Sequence, residues 1–397
     1  MESMDSVREA RTGKPKHQGS SAIPYLPSEV TTELLARLPV KSLLKFKTVC
    51  KSWLSLISST EFVKKHDLIH RARSYYSSST NSKRLLISWE SQALMCYSPK
   101  SRPREIPIDI HIERFDHSGK NHHQRELSFD IIGSCDGLVC LKVGDCCVER
   151  VFLWNPCTRE CVEAKERNGE DVRIFSLHHG FGYDYNSDDY KVLKVYHKTT
   201  TCISMIYTLR TDSWRRIQDY PRGAFPLEKC ATYVNGALHW LAKIRQNDPF
   251  IIALDLTSET YMEVAVPDYG TGSSFEGVGA LEGCLCVLVD GKETDLWVMK
   301  EYGVKESWTK FLTIPTKFPT IPSVLPPVYF YLKTLTNLIW FLGNDEIVLD
   351  IYTKMVSYNA KTKSTTDLGI PVCLYDRSHV YVESLVSLSS YNELGGK

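Results

Sequence analysis

The sequence predicts a small all-α module followed by an all-β domain with a six-bladed β-propeller-like fold. Residues 26–66 contain no glycine and carry apolar side chains at helical spacing. Beyond about residue 84 the pattern changes to short runs rich in Val, Ile, Leu, Tyr and Trp, separated by Gly, Asp, Asn and Pro turns. Within that region a strand–turn–strand pattern recurs at intervals close to the length of a four-stranded blade.

Bulk properties narrow the function classes. A chain of 397 residues with 43% apolar and 24% charged side chains is ordinary for a globular protein. Its 48 basic and 47 acidic residues leave a formal charge of +1, which weighs against a protein that grips nucleic acid through phosphates. No apolar run approaches the length of a membrane span. Residues 1–22 mix charges with Gly, Pro and Ser, lack the apolar stretch of an export signal, and read as a disordered tail. The 13 cysteines follow no framework spacing and read as reduced thiols, Cys284 and Cys286 on apolar strand faces, in the cytoplasm or nucleus.

The helical module occupies residues 23–70. Pro27 suits a first helical position, where a missing N–H costs nothing. Glu29 follows in the first turn, where the helix dipole favours negative charge. Val30, Leu34 and Leu38 form one stripe at i, i+4, i+8. Pro39 ends this helix, and Ser42 is placed to cap a second one carrying Leu43, Phe46 and Val49. A third helix is expected from Cys50 to Ile57 with Trp53 and Leu56, and a short fourth one, capped by Ser59 or Thr60, carries Phe62 and Val63. Apolar residues lie on more than one face of each helix, as Leu54 beside Leu56 and Ile57 shows. So small a core is expected to complete itself against a partner.

The run from Leu26 to about His66, with its LP start, internal LPVKSL turn and VCKSW element, resembles the F-box of plant F-box proteins. The resemblance implies docking to a Skp-family adaptor and, through it, to a cullin. It places Leu26, Pro27, Val30, Leu34, Leu38, Pro39, Leu43, Val49, Cys50 and Trp53 on the docking surface or its support. Ser28 stands where the family commonly has an acidic residue, and Glu29 still supplies first-turn charge. Read on its own, Cys50 belongs to an apolar helix face and is a packing residue.

Residues 71–84, Ser/Thr-rich with basic ends, read as a linker, residues 85–390 as the β domain and residues 391–397 as a C-terminal tail. The recurring element appears as LWNPCTREC, YTLRTDSW, ALDLTSET, LWVMKEYGVKESW and VSYNAKTKS, starting at residues 153, 207, 253, 296 and 356, with a weaker copy at Leu94. Between copies lies a second hairpin, often with glycine at its turn, so each period holds two hairpins, and six units are expected. The final run, His379 to Leu388, is expected to return and pair near Leu85–Trp89, closing the ring and removing its open edges. Gly137, Gly182 and Gly236 read as turn glycines needing positive φ, and Trp154, Trp214 and Trp240 as packing between blades. The GSCDGLVCL, WNP, GFGYD, DYKVLKV and NGALHWLA runs, from Gly133 to Ala242, resemble the F-box-associated β domain of plant proteins, often labelled F-box/kelch although the kelch double glycine is absent. That likeness implies a domain that captures a protein target.

No nucleophile elbow, P-loop or HExxH occurs, and GVGALEG has the wrong spacing for a dinucleotide loop and reads as a hairpin. C-x-x-C is absent, so no metal site is expected, and no cofactor either. The reading is therefore a non-catalytic substrate receptor of an SCF-type ubiquitin ligase, with no nucleic-acid or membrane partner. The alternative is a β-propeller hydrolase or glycan-binding protein. Loops at Asp184–Asp189, Asp219–Phe225 and Asp268–Phe275 are candidate target contacts.

Overall fold

The computed structural model describes the chain except residues 1–25, 77–82, 90–92, 99–100, 106–127, 145–148, 166–175, 199–200, 222, 245–248, 271–273, 315–337, 344–345, 352–353, 372–377 and 392–397. The expected N-terminal tail thus lies outside the described residues. Four helices come first: α1 (Ser28–Ala36), α2 (Val40–Phe46), α3 (Lys51–Ser58) and α4 (Thr60–Tyr76). The fourth is not short. It continues through Tyr76, into the segment expected as a linker.

The strands then form six antiparallel sheets. The first contains β1 (Lys83–Trp89), β2 (Ala93–Ser98) and β3 (Ser101–Glu105), and the second β4 (Ser128–Cys135), β5 (Leu138–Gly144), β6 (Glu149–Trp154) and β7 (Cys161–Glu163). The third contains β8 (Ser176–Asp184), β9 (Asp189–Lys198), β10 (Thr201–Thr208) and β11 (Ser213–Arg216). The fourth has β12 (Ala224–Pro226), β13 (Thr232–Val234), β14 (Ala237–Ile244), β15 (Phe250–Asp255) and β16 (Tyr261–Val264). The fifth has β17 (Ser274–Leu281), β18 (Cys284–Asp290), β19 (Thr294–Met299) and β20 (Trp308–Ile314). The sixth has β21 (Leu338–Gly343), β22 (Glu346–Ile351), β23 (Lys354–Asn359) and β24 (Ser364–Pro371). The last strand, β25 (Ser378–Val382), returns to the first sheet and pairs with β1, Lys83 opposite Val382 and Ile87 opposite Ser378.

The innermost strands β25, β4, β8, β13, β17 and β21 each meet the next, and β21 meets β25, so the six sheets stand in a ring. This is the expected six-bladed β-propeller, closed where the sequence placed the closure. Among the described residues no helix is long and apolar enough to cross a membrane.

The recurring sequence element is the hairpin between the third and fourth strands of each blade, and its cause is local. Asn155, Asp255 and Asn359 each turn a side-chain oxygen back onto the N–H groups two and three residues later, at 2.8 and 3.3 Å, 3.0 and 2.6 Å, and 3.1 and 2.9 Å. Four residues after each stands a residue in the left-handed region, Arg159 (φ 65°), Glu259 (φ 56°) and Lys363 (φ 55°). A side-chain turn of this kind needs Asn or Asp at its start, which explains why the repeat is visible amid otherwise varied residues.

Packing between blades uses the aromatics. Trp240 is fully buried with Leu193, Ile206 and Ile252 between the third and fourth blades, and Trp154 lies in the core of the first two. Trp214 donates its indole N–H to the Ala164 carbonyl at the end of the preceding blade's outer strand, 3.0 Å away. Trp308 repeats the contact on Ala265 at 2.8 Å. GVGALEG is a hairpin, with its turn at Glu282–Gly283 between β17 and β18.

Gly182 departs from expectation. Gly137 (φ 82°) and Gly236 (φ 77°) occupy left-handed turn positions, whereas Gly182 lies within β8. A Cβ there would stand 2.2 Å from the Tyr233 ring of the next blade. Its role is close approach between blades, not turn formation.

The fourth blade also contains an unforeseen break. β12 and β13 pair with different ends of β14, leaving a gap in the inner strand. Glu228 fills it, its carboxylate accepting from the Leu241 N–H at 2.8 Å and the Val278 N–H of the fifth blade at 3.2 Å. Burial pushes this carboxyl up to about 7, against the pull of those two donors.

Candidate docking surface

The helical module presents apolar side chains outward on one side and inward on another. Pro27, with φ −53° and ψ 145°, directly precedes α1 as its cap, one residue earlier than expected. Its consequence is the same: the Pro27 carbonyl accepts the Thr31 N–H at 3.0 Å and opens the helix. Leu26, Val30 and Leu34 follow one another at four-residue steps and are 56%, 42% and 52% exposed. The inward face of α1 is instead Leu35 and Ala36. Pro39 caps α2, so Ser42 lies inside that helix and does not cap it, and Val49 falls beyond its end, 62% exposed.

Cys50 caps α3 in extended conformation and is exposed, contrary to its reading as a packing residue. Its sulfur lies 3.2 Å from the Ser52 hydroxyl, a contact that lowers the thiol's pKa. The helix itself buries Ile57, while Trp53 is half-buried with its ring 5.4 Å from that of Phe46. The Ser59 hydroxyl caps α4, accepting the Phe62 N–H at 3.3 Å.

Of the ten residues that the resemblance implies, Leu26, Pro27, Val30, Leu34, Pro39, Val49 and Cys50 stand at the surface. Leu38 and Trp53 are half-buried supports, and Leu43 is fully buried within the module. Two further apolar residues stand exposed, Leu54 (47%) and Leu68 (67%). Leu54 was legible as part of a second apolar face. Leu68 was not, because the fourth helix was expected to end sooner.

The module completes its core against its own chain, not only against a partner. Leu385, from the segment after β25, is buried with Leu35, Val40, Leu43, Ile57 and Phe62, and Cys157 of the second blade packs alongside. Two ion pairs span the junction: Lys41 with Glu383 at 3.1 Å, and Lys64 with Asp188 at 3.0 Å. Tyr391, expected in a C-terminal tail, packs edge-on against Tyr190 at 5.4 Å.

Strand direction decides which loops share a face with the module. Where they are described, the turns between first and second and between third and fourth strands lie at one end of a sheet, and the strand ends that lead to the second–third turns and to the next blade lie at the other. Asp188 and Cys157 belong to hairpins of the first kind, so the module sits on that face. The loop Asp184–Asp189 therefore shares the face that carries the module, with its carboxylates engaged and Tyr185 at its tip exposed. Asp184 is buried against Lys191 and Thr257, and Asp188 binds Lys64 and the Tyr183 hydroxyl. Burial alone would raise the Asp188 carboxyl, but Tyr183 and Lys64 hold it below the usual range.

Loops Asp219–Phe225 and Asp268–Phe275, in which residues 222 and 271–273 lie outside the described residues, run from β11 to β12 and from β16 to β17, so their described parts belong to the opposite face. There a cavity of about 500 Å³ opens on the fifth blade beside the segment that leads into it, lined by Asp268, Tyr269, Lys292, Glu293, Trp297 and Lys310 among others. Lys310 of β20 pairs with Asp295 of β19 at 2.5 Å and lies 5.8 Å from the Trp297 ring centroid.

The module has one built-in pH sensitivity. His66 is buried and donates from Nε2 to the Leu38 carbonyl at 3.0 Å, tying α4 to the turn after α1. Burial holds its imidazole at about 4, against the backbone hydrogen bond that favours protonation, and His70 beside it adds to the depression. A depressed histidine contributes stability above the unfolded value of about 6.5 that is lost as pH falls toward the folded one. Lowering pH from about 7.5 to 5 is expected to cost about 2 kcal/mol at this residue. Hydrogen exchange of the α4 amides checks it: their protection factors, taken relative to the intrinsic exchange rate at each pH, should fall about thirtyfold at the lower pH in the native chain and much less so in His66→Gln.

Comparison with known proteins adds the following. Residues 23–65 match the family model of the F-box domain, and residues 72–388 that of the F-box associated beta propeller domain. The F-box/kelch-repeat protein At3g23880 of Arabidopsis thaliana is 33% identical over 299 residues, covering 73% of this chain and 79% of that protein. F-box protein At3g07870 of the same plant is 28% identical, with 87% and 88% covered. F-box protein CPR1, also from Arabidopsis thaliana, is 25% identical, with 93% and 90% covered.

Proposed function

Because the chain belongs to the F-box proteins that carry an F-box-associated β-propeller domain, we propose that it is the target-receiving subunit of an SCF-type ubiquitin ligase. The F-box docks a Skp-family adaptor and through it a cullin. The propeller holds a protein target so that other subunits can transfer ubiquitin to it. The target is then degraded. No reactive residue of this chain is needed for that role, since holding two reactants together raises their effective concentration by itself.

The observation that carries the reading is the outward stripe Leu26, Val30 and Leu34 on α1, with Val49 and Leu54 exposed nearby in sequence. The propeller already fills the module's inner side, so these side chains are not surplus core. Apolar residues that stay exposed after a core is complete mark an association surface. We assign the target to the face opposite the module, where the cavity on the fifth blade lies clear of the ligase-facing end. Residence in the cytoplasm or nucleus, where the ubiquitin machinery works, follows from this role.

The test is reconstitution of the full chain with a purified Skp-family adaptor and a cullin. A stable complex at micromolar concentration is expected. Absence of any complex from a folded, monodisperse chain would overturn the reading.

A further inference from the structure

The segment that follows ring closure, residues 383–391, lies between propeller and module and is held from both sides. Asn155 donates both amide hydrogens to it, to the Ser384 carbonyl at 3.3 Å and the Val386 carbonyl at 2.7 Å. Glu160, in the same hairpin turn, accepts from the Leu388 and Ser389 N–H groups at 2.6 and 3.2 Å and from the Ser387 hydroxyl at 2.8 Å. Val386 and Leu388 are buried in the core of the second and third blades. Leu385 points the other way, into the core of the module, at 2% exposure.

Glu383 completes the clamp. Its carboxylate, 5% exposed, lies between Arg84 of β1 at 3.0 Å and Lys41 of α2 at 3.1 Å. One buried acid thus joins the closing blade to the docking module, pairing with a cation from each.

We propose that Asn155, Glu160, Glu383 and Leu385 are positioning residues. Through the strap 383–391 they set the orientation of the F-box relative to the propeller, and hence the distance from adaptor to captured target. Its functional consequence rests on the adaptor reading; the clamp itself does not. A module joined to the propeller by a single flexible connection would sweep a wide volume and dilute the target at the transfer site. The strap replaces that sweep with one arrangement. It also ties docking geometry to ring closure, because the same chain segment does both.

The experiment is a distance measurement by energy transfer between dyes on non-natural residues at the exposed positions 51, in the module, and 361, on the propeller. The native chain is expected to give one narrow distance distribution. Asn155→Asp keeps the acceptor that serves the Cys157 and Thr158 N–H groups but loses both donations to the strap. Leu385→Ala removes the side chain from the module core without placing a charge there. Either variant is expected to lose the single narrow peak, while near-ultraviolet circular dichroism of the propeller and adaptor affinity stay close to native. If Asn155→Asp does not fold, Leu385→Ala alone decides. A folded variant that keeps the narrow peak overturns the proposal, as does a native chain with a broad distribution. Failure of the native chain to bind adaptor, with its narrow peak intact, counts against the docking reading instead.

Discussion

Replacing Val30 and Leu34 together by aspartate is expected to abolish adaptor binding without unfolding the chain. Both side chains are about half exposed, at 42% and 52%, and neither belongs to the module's buried set. Aspartate within a helix costs about 0.5 kcal/mol per residue relative to a better helix former, so the folded state should survive the change. At an interface the balance reverses. Each aspartate would enter a desolvated apolar contact without a partner, which costs about 2 kcal/mol of binding. Two together imply a loss of affinity of about a thousandfold. Titration calorimetry with a Skp-family adaptor measures it, with thermal unfolding as the control. Undiminished affinity would show that the stripe is not the docking surface.

The largest stability effect is expected at Gly137. This residue and Asp136 form the turn between β4 and β5, with φ 82° and 51°. A Cβ at Gly137 would stand 2.6 Å from the Val382 carbonyl oxygen and 2.1 Å from the Ser384 Cβ, where the closing strand passes into the strap. The carbonyl is backbone already committed to ring closure, so it cannot swing aside as a flexible side chain would. Left-handed strain and overpacking add, and Gly137→Ala is expected to cost about 4 kcal/mol. Gly236→Ala is the matched control. It has the same kind of turn and φ 77°, but nothing lies within 4 Å of the added methyl, so only strain of about 1 kcal/mol should appear. Urea denaturation of both variants separates the two contributions. Equal losses would mean that contact with the closing strand contributes nothing.

The contrast between these glycines indicates how far sequence reasoning reaches. Gly137 and Gly236 follow Asp and Asn between apolar runs, a local turn signal that requires no knowledge of neighbours. Gly182 sits among residues of similar composition, yet its function is to admit Tyr233 from another blade. Nothing local marks that contact. The same holds for the candidate target loops. Asp184–Asp189 is charged and aromatic, as a binding loop would be, but its carboxylates are engaged by Lys191 and by Lys64 of the docking module.

The outward apolar stripe of the module shows the division most clearly. Helical periodicity picked out Val30 and Leu34 as one stripe, and that stripe exists. Periodicity identifies a face without saying what covers it. Leu35 and Ala36, one step around the same helix, were equally apolar and turned out to be the inner side, because Leu385 arrives there from the far end of the chain. Cys50 was assigned to packing by the same ambiguity and stands in solvent.

The strap itself was half visible. The run His379–Leu388 is expected to close the ring, and only its part up to Val382 does so, while the strap begins at Glu383. That Glu383 and Leu385 continue past closure to hold the docking module had no signal in the sequence, since a short apolar run reads alike whichever surface it meets.

Residue pattern alone carries the order of the parts: helices first, then six blades, closed by the last strand. Those features rest on hydrophobic period and turn chemistry, which act between residues a few positions apart. Long-range packing sets which apolar face of the module stays exposed, which face of the propeller the module sits on, and what holds the two together. Burial depends on which distant segments come to share a core, and apolar side chains carry no mark of the partner they will meet.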